Sequence, residues 1–169
     1  MRFLPRRSAW APIAILCLAA PVTGCAASGR FQMATPPGSL RGYHVMLVVA
    51  SATDTDARKE AFQLEATTSA VGRKLLGDHE LRTGRTHRGE PVDLRIEATI
   101  VQLTRVNRQS RVRRGPLAGR ASVIANVTLT DAGTGAIVGR FSVEGRSSAR
   151  GTTEQAIRRA AEQIVTVLR

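Results

Sequence analysis

Cysteine is scarce in this chain of 169 residues, and both cysteines, Cys17 and Cys25, lie near the N-terminus. A disulfide or a cysteine-ligated metal site in the rest of the chain is therefore excluded. Lysine occurs only at Lys59 and Lys74, and the chain has one tryptophan and one tyrosine. A phosphate-binding glycine loop and a serine or cysteine nucleophile in a recognisable motif are also missing. We therefore expect no cofactor.

The histidines and the paired aspartates offer no catalytic group. His44, His79 and His87 each lack a second histidine or carboxylate at metal-ligand spacing, so we expect structural or solvated side chains. Asp54 and Asp56 form a carboxylate pair, but capping of the following helix explains both. Without an acid/base pair, we predict that the protein is not an enzyme and binds no metal.

The first 25 residues resemble a bacterial lipoprotein signal. An apolar stretch at 9–22 ends in Thr23-Gly24-Cys25 and follows three arginines, Arg2, Arg6 and Arg7. The resemblance implies that residues 1–24 are removed and that Cys25 is acylated, with palmitate among its chains. The alternatives are a transmembrane anchor and an ordinary secretory signal, but about 14 apolar residues are fewer than the ~20 needed to span a bilayer.

The same resemblance implies a location. Ala26 follows the cysteine, where aspartate is associated with retention in the inner membrane, so we expect the periplasmic face of the outer membrane. Residues 25–41 contain Gly29, Pro36 and Pro37 and are predicted to be a lipidated tether. Residues 42–169 are then one periplasmic domain, large enough to bury a core.

The chain is strongly basic, with a formal net charge of +12 that falls to about +9 once the signal is lost. Export makes nucleic acid an unsuitable partner, so anionic lipid headgroups, lipopolysaccharide phosphates or an acidic protein are better candidates. A solvated surface that reflects composition alone is the alternative, and the charge does not decide between them.

Apolar spacing predicts the elements of the domain. Residues 43–50 form a continuous apolar run typical of a buried strand that should sit centrally. A helix follows the capping residues 53–56 and ends near Leu76, and a weaker strand follows at 80–85. Alternation predicts strands from Val92, across 121–129 and across 137–143. A change of phase near Ile100 indicates either a bulge or a strand that leaves the sheet there. A last helix opens at Thr152, with Gln155 at capping-box spacing.

The order of these elements predicts an α+β fold. We expect a two-layer sandwich with a mixed sheet of four to five strands and two helices on one face. Residues 130–135 are predicted to be a tight hairpin turn. The apolar face of the first helix is predicted to be Ala57, Ala61, Leu64, Thr68, Val71 and Leu75, and the inward residues of the last strand are Ile137, Phe141 and Val143.

Residues 105–120 are the candidate binding segment. As a hairpin connection the segment would project six arginines together, where an anion or an acidic partner could gather several contacts. Leu117 is a candidate exposed apolar tip. The alternative is an ordinary mobile loop between edge strands, and the two interpretations remain equal. The six arginines are Arg105, Arg108, Arg111, Arg113, Arg114 and Arg120.

Four motifs within residues 42–169, DLRI at 93–96, GRA at 119–121, VTLTD at 127–131 and GRSS at 145–148, resemble a family of small bacterial lipoproteins of unknown function. That family is similar in architecture to the N-terminal domain of TolB, the curli secretion lipoprotein and lipoprotein activators of penicillin-binding proteins. The resemblance implies a non-enzymatic binding or scaffold module of the cell envelope. The alternative is a subunit of an envelope assembly or secretion complex that forms homo-oligomers.

Overall fold

The computed structural model describes residues 30–35, 40, 42–77, 79–84 and 89–169, with the backbone alone described for 30–35. The predicted signal peptide 1–24, Cys25 and His87 lie outside the described residues. The predictions made for them therefore stay predictions.

The described elements form two layers. Their order is β1 (Arg30–Thr35), β2 (Val45–Ala52), α1 (Arg58–Leu75), β3 (Glu80–Thr83), β4 (Leu94–Thr104), α2 (Arg108–Arg114), β5 (Ser122–Asp131), β6 (Ile137–Arg146) and α3 (Thr153–Leu168). The strands form one sheet in the order β1-β6-β5-β4-β2-β3. β2 is parallel to β3 and β4, and the other neighbours are antiparallel. α1 and α3 pack against each other on one face. The predicted α+β sandwich with a mixed sheet is confirmed.

The described sheet has six strands, so the predicted four to five was too few. The additional strand, β1, lies inside the predicted tether 25–41 and pairs with β6 from Arg30 opposite Glu144 to Thr35 opposite Arg140. Residues 30–35 are therefore part of the sheet, because the free edge of β6 offers unpaired backbone groups to the preceding chain. The short helix α2 likewise exceeds the two predicted helices.

β2 is an interior strand, as its apolar run predicts, although it lies next to the edge and not at the centre of the sheet. Met46, Val48 and Ala50 face the helices and belong to the core. β3 covers the outer side of β2 and is the weaker strand expected at 80–85.

The bulge predicted near Ile100 is confirmed. Ile100 pairs with Ala125 and Gln102 pairs with Ile124, so Val101 is the extra residue of β4. Its side chain is 45% exposed. The bulge explains why the apolar alternation changes phase at this point.

The predicted hairpin joins β5 and β6. Asp131 Oδ1 accepts hydrogen bonds from the backbone N–H of Thr134 at 2.7 Å and from its hydroxyl at 2.8 Å, which closes the turn. Phe141 and Val143 are buried as predicted. The prediction for Ile137 was wrong: Ile137 is 48% exposed, because the register shift between Leu129 and Thr130 pairs it with Thr130 and interrupts the inward alternation of β6.

α1 begins after the predicted caps, with Asp54 Oδ1 accepting the Asp56 N–H at 2.9 Å and a 3-10 turn at Thr55–Ala57. The predicted buried face of α1 is wrong at its C-terminal end, where Leu75 is 49% exposed and Leu76 is buried instead. A Cβ at Gly72 would lie 2.4 Å from Leu81 Cδ2, so the missing side chain lets β3 pack closely on this turn. That contact turns the Gly72 and Leu76 side of the helix inward.

α3 lies directly on β6. A Cβ at Gly145 would lie 2.0 Å from the Ala156 carbonyl oxygen, so this approach requires glycine. The predicted capping box was wrong, because Gln155 Oε1 accepts from the N–H of Ser148 at 2.9 Å and thereby holds the preceding loop. No helix in the described part of the chain is both long and apolar enough to span a membrane.

Candidate functional site

The segment at 105–120 connects two adjacent antiparallel strands, as in the predicted hairpin connection, and it contains regular structure that the alternative of a mobile loop between edge strands does not include. It joins β4 and β5, which are interior strands, and consists of α2 followed by a 3-10 turn at Gly115–Ala118. Asn107 Oδ1 accepts the Ser110 N–H at 2.6 Å and caps α2. We call residues 108–120 the basic tip.

The base of the basic tip is fixed to the start of α3. The Val106 N–H donates to Thr153 Oγ1 at 2.9 Å, and the Thr153 N–H donates to the Val106 carbonyl at 3.1 Å. Val106 is buried with the core, and Ala118 packs against it. The tip is therefore attached at both of its ends.

Arg111 binds the protein's own backbone. Its Nη1 donates to the carbonyls of Gly115 at 2.9 Å and Ala149 at 2.6 Å, and its Nη2 donates to those of Gly119 at 2.9 Å and Gly151 at 2.6 Å. One planar guanidinium thus joins α2, the 3-10 turn and the loop before α3. This geometry gives Arg111 a structural role, in contrast to the binding role predicted for it.

Arg105 is engaged with α1. Its Nε donates to Glu60 Oε1 at 2.7 Å, and its Nη2 donates to the Asp56 carbonyl at 2.6 Å. The hydrogen bond from Arg105 lowers the pKa of Glu60 from its ordinary value. Arg105 therefore holds the end of β4 to the start of α1.

Four predicted arginines of the basic tip remain exposed. They form no hydrogen bond or ion pair with another described residue. The pKa of Glu154 is lowered mainly by the hydrogen bond from the Thr152 hydroxyl and to a smaller extent by the charge of Arg108. The tip has no acidic residue, since the nearest ones in the sequence are Glu97 and Asp131. The exposed arginines are Arg108, Arg113, Arg114 and Arg120.

Two large apolar side chains accompany these arginines. Val112 is 82% exposed and Leu117 is 91% exposed. Leu117 is the apolar tip that the sequence indicated, because Pro116 places it in a turn. Val112 was missed, because its exposure depends on which face of α2 Arg111 holds against the protein.

His44 and His79 lie at the end of the sheet opposite the basic tip and contact each other and the neighbouring backbone. The rings of His44 and His79 stack with centroids 6.3 Å apart, and His79 Nδ1 lies 2.7 Å from the Tyr43 carbonyl oxygen. The Tyr43 hydroxyl donates to Asp131 Oδ2 at 2.9 Å. Among the described residues, no group of three or more His, Cys, Asp or Glu is placed to hold a metal ion.

Two concave surfaces were not foreseen from the sequence. A cleft of about 440 Å³ runs between α1 and α3 and is lined by Val71, Lys74, Leu75, Arg158 and Glu162, among others. A groove of about 420 Å³ crosses the face of the sheet opposite the helices, beside Arg120, Glu144 and Arg146. Neither surface carries a set of reactive groups.

No family model matches the sequence, and no curated protein matches it. Among solved structures, the fold is similar to the PelC dodecamer from Paraburkholderia phytofirmans, with a TM-score of 0.61 and 16% identity over 83% of this chain and 97% of that chain. A second PelC dodecamer structure, of a variant, has a TM-score of 0.57 and 14% identity over 83% and 97%. These likenesses show a shared fold.

The similar structures also include bacterial lipoproteins. Lipoprotein GNA1162 from Neisseria meningitidis has a TM-score of 0.43 and 11% identity, with 73% of this chain and 96% of that chain covered.

Proposed function

We propose that this chain is a non-enzymatic lipoprotein of the outer membrane, anchored at the periplasmic face through acylated Cys25, and that several copies assemble into a homo-oligomer. The observation that carries the proposal is the fold shared with PelC, which is described as a dodecamer, over 97% of the PelC chain. The anchor rests on the motif that ends at Cys25. The expected architectural likeness to TolB, the curli lipoprotein and activators of penicillin-binding proteins is compatible with this role.

The surfaces of the domain support assembly. The sheet face opposite α1 and α3 carries exposed Arg95, Asn126 and Arg140, and the described residues contain no layer over it. On the other side, the cleft between α1 and α3 exposes Leu75 beside Lys74. A head-to-tail assembly needs two unlike surfaces on each subunit, and these two faces differ in that way.

The contacts of the polar residues support a role without catalysis. The carboxylates of Asp93 and Asp131 accept hydrogen bonds from backbone N–H groups, and the carboxylate of Glu60 pairs with Arg105. Each of these carboxylates therefore has a structural explanation. Catalysis would require several such groups within reach of one reacting atom, and these three are instead engaged with separate parts of the protein's own fold.

A second role is favoured by the basic tip. Its four exposed arginines carry no partner among the described residues, so the tip suits an anionic component of the envelope. Binding and assembly are compatible, because the tip lies at one end of the sheet and reaches the open face at Arg120, which leaves most of that face for other copies.

The anchor is tested by replacing the acylated cysteine. In the full chain, Cys25→Ser should abolish incorporation of labelled palmitate and remove the protein from the outer-membrane fraction. Cys17→Ser is the matched control, because that residue lies within the predicted signal and should leave both readouts unchanged. Palmitate incorporation that persists in Cys25→Ser would place the anchor elsewhere and contradict the proposal.

A further inference from the structure

The start of β1 and the basic tip lie at the same end of the sheet. Arg30 begins β1 opposite Glu144, close to the end of β6 at Arg146. Arg146 pairs in turn with Ser122, the first residue of β5, which follows the basic tip. The chain therefore enters the domain from the N-terminal side at the end of the sheet that carries the tip.

The distance from Cys25 to this end is limited by chain length. Arg30 is five positions after Cys25, and a fully extended chain spans at most ~3.6 Å per residue step, or about 18 Å over this interval. The start of β5 lies two strand spacings from β1, about 10 Å. An acylated Cys25 would thus hold this end of the domain close to the membrane.

The basic tip has the chemistry of a membrane-docking surface. Val112 and Leu117 are exposed to 82% and 91%, and apolar side chains of this kind bury in the boundary between headgroups and acyl chains. Arginines beside them are attracted by anionic headgroups and can extend to the phosphates. Arg111 holds the backbone that presents these side chains, so little order has to be gained on docking.

The opposite end of the sheet has a different character. The turn at 132–136 lies there, between the carboxylate of Asp131 and the start of β6. Asp93 lies at the same end, because Leu94 pairs with Asp131. Among the described residues, this end has no cluster of exposed arginines comparable to that of the basic tip.

We propose that the basic tip docks on the anionic phospholipid leaflet that holds the acylated N-terminus, with Val112 and Leu117 inserted at the headgroup level. This inference rests on the proposed anchor at Cys25. An acidic envelope protein is the competing occupant of the tip. The membrane is favoured because the anchored chain end and the tip share one end of the sheet.

A single-tryptophan reporter tests the docking in the full, acylated chain. Trp10, the one tryptophan of the sequence, lies in the predicted signal 1–24 and is absent from the acylated chain, so Leu117→Trp places a single tryptophan in the tip. Ala136→Trp, in the turn at the opposite end, is the matched control for the membrane affinity of tryptophan itself. The proteins are reconstituted into vesicles of phosphatidylethanolamine and phosphatidylglycerol with brominated acyl chains.

Docking predicts that the tryptophan of Leu117→Trp emits at shorter wavelength and loses most of its intensity to the bromines, while that of Ala136→Trp remains as in water. In phosphatidylcholine vesicles without anionic lipid, the quenching should weaken. Adding Arg108→Gln, Arg113→Gln and Arg114→Gln to the tip reporter should weaken it in the same way, because the attraction is to anionic headgroups.

The outcomes separate the docking from the anchor. A chain that does not float with the vesicles contradicts the anchor, and with it the docking. A chain that floats while the tip reporter stays unquenched overturns the docking alone. A tip reporter that responds to polyglutamate and not to brominated lipid would assign the tip to an acidic protein. Since Leu117 is 91% exposed, we expect the protein with Leu117→Trp to fold normally. Val112→Trp gives an independent second reporter.

Discussion

Arg111 differs from the other arginines of the basic tip, because its guanidinium group is bound to the protein's own backbone. The four carbonyls that accept its hydrogen bonds belong to two segments, 115–119 and 149–151. Without the guanidinium, these oxygens would lose a charged donor, and three of the four hydrogen bonds are partly buried. Arg111 therefore stabilises the fold, whereas the other arginines of the tip remain exposed, although all of them look equivalent in the sequence.

We expect Arg111→Ala to lower the free energy of unfolding by ~2–3 kcal/mol, because hydrogen bonds from a charged group are among the stronger ones. Arg111→Lys should recover little of this loss, since a compact ammonium cannot reach four carbonyls at once. The matched control is Arg113→Ala, which should change stability by less than ~0.5 kcal/mol. Urea unfolding of the purified protein measures all three. Equal effects of Arg111→Ala and Arg113→Ala would show that the network contributes nothing.

At this scale the sequence predicted the arginine cluster but not the roles within it. Arg111 acts through Ala149 and Gly151, which lie 38 and 40 residues away in the chain. Local spacing carries no information on such a partner. Leu75 shows the same limit, because its exposure is decided by the contact of Gly72 with Leu81 of another element. By contrast, the caps at Asp54 and Asp131 were predictable because they act within three residues.

At the scale of elements, strong periodicity identified the interior strands and both long helices. β1 was missed because Gly29, Pro36 and Pro37 flank a short run whose pairing depends on the edge of β6. α2 was missed because it packs on loops, so it has no apolar stripe. The sequence nevertheless marks the ends of α2, because Asn107 is a suitable N-cap and Gly115-Pro116 follows its last residue.

The starts of β2 and β4 are joined by one carboxylate. Asp93 Oδ2 accepts the N–H groups of His44 at 2.8 Å and Val45 at 2.9 Å, and these bonds lower the pKa of Asp93 from its ordinary value. A lowered pKa in the folded state means that the ionised form stabilises the fold. The contribution is complete above the unfolded-state pKa of about 3.9 and is lost as pH falls through the lower folded-state pKa.

We therefore predict that Asp93→Asn lowers the thermal midpoint at neutral pH and that the difference from the wild type narrows as pH falls below about 4. Asp56→Asn is the control, because the Asp56 side chain accepts no hydrogen bond from another described residue. Thermal unfolding between neutral and acid pH is the measurement. A difference that stays constant across this range would show that the Asp93 charge plays no part.

At the scale of the whole molecule, we propose that the two ends of the sheet have separate tasks. The end with the basic tip also receives the chain from Cys25, whereas the other end is closed by turns and carboxylates. Anchoring at one end leaves the open sheet face and the cleft between α1 and α3 free to meet other copies. In this proposal, anchoring and assembly use different surfaces of one domain.

The native mass of the full, acylated protein tests self-assembly most directly. The protein is extracted from membranes in a mild detergent, and its mass is measured by native mass spectrometry after the detergent is removed in the gas phase. Lys74→Glu, in the cleft between α1 and α3, serves as a variant that reverses one charge without reaching the core. For the wild type, the account predicts a discrete mass of several identical subunits, comparable to the PelC dodecamer. If the cleft is one of the interfaces, the Lys74→Glu protein should shift toward smaller species. A monomeric mass at every protein concentration would contradict the account.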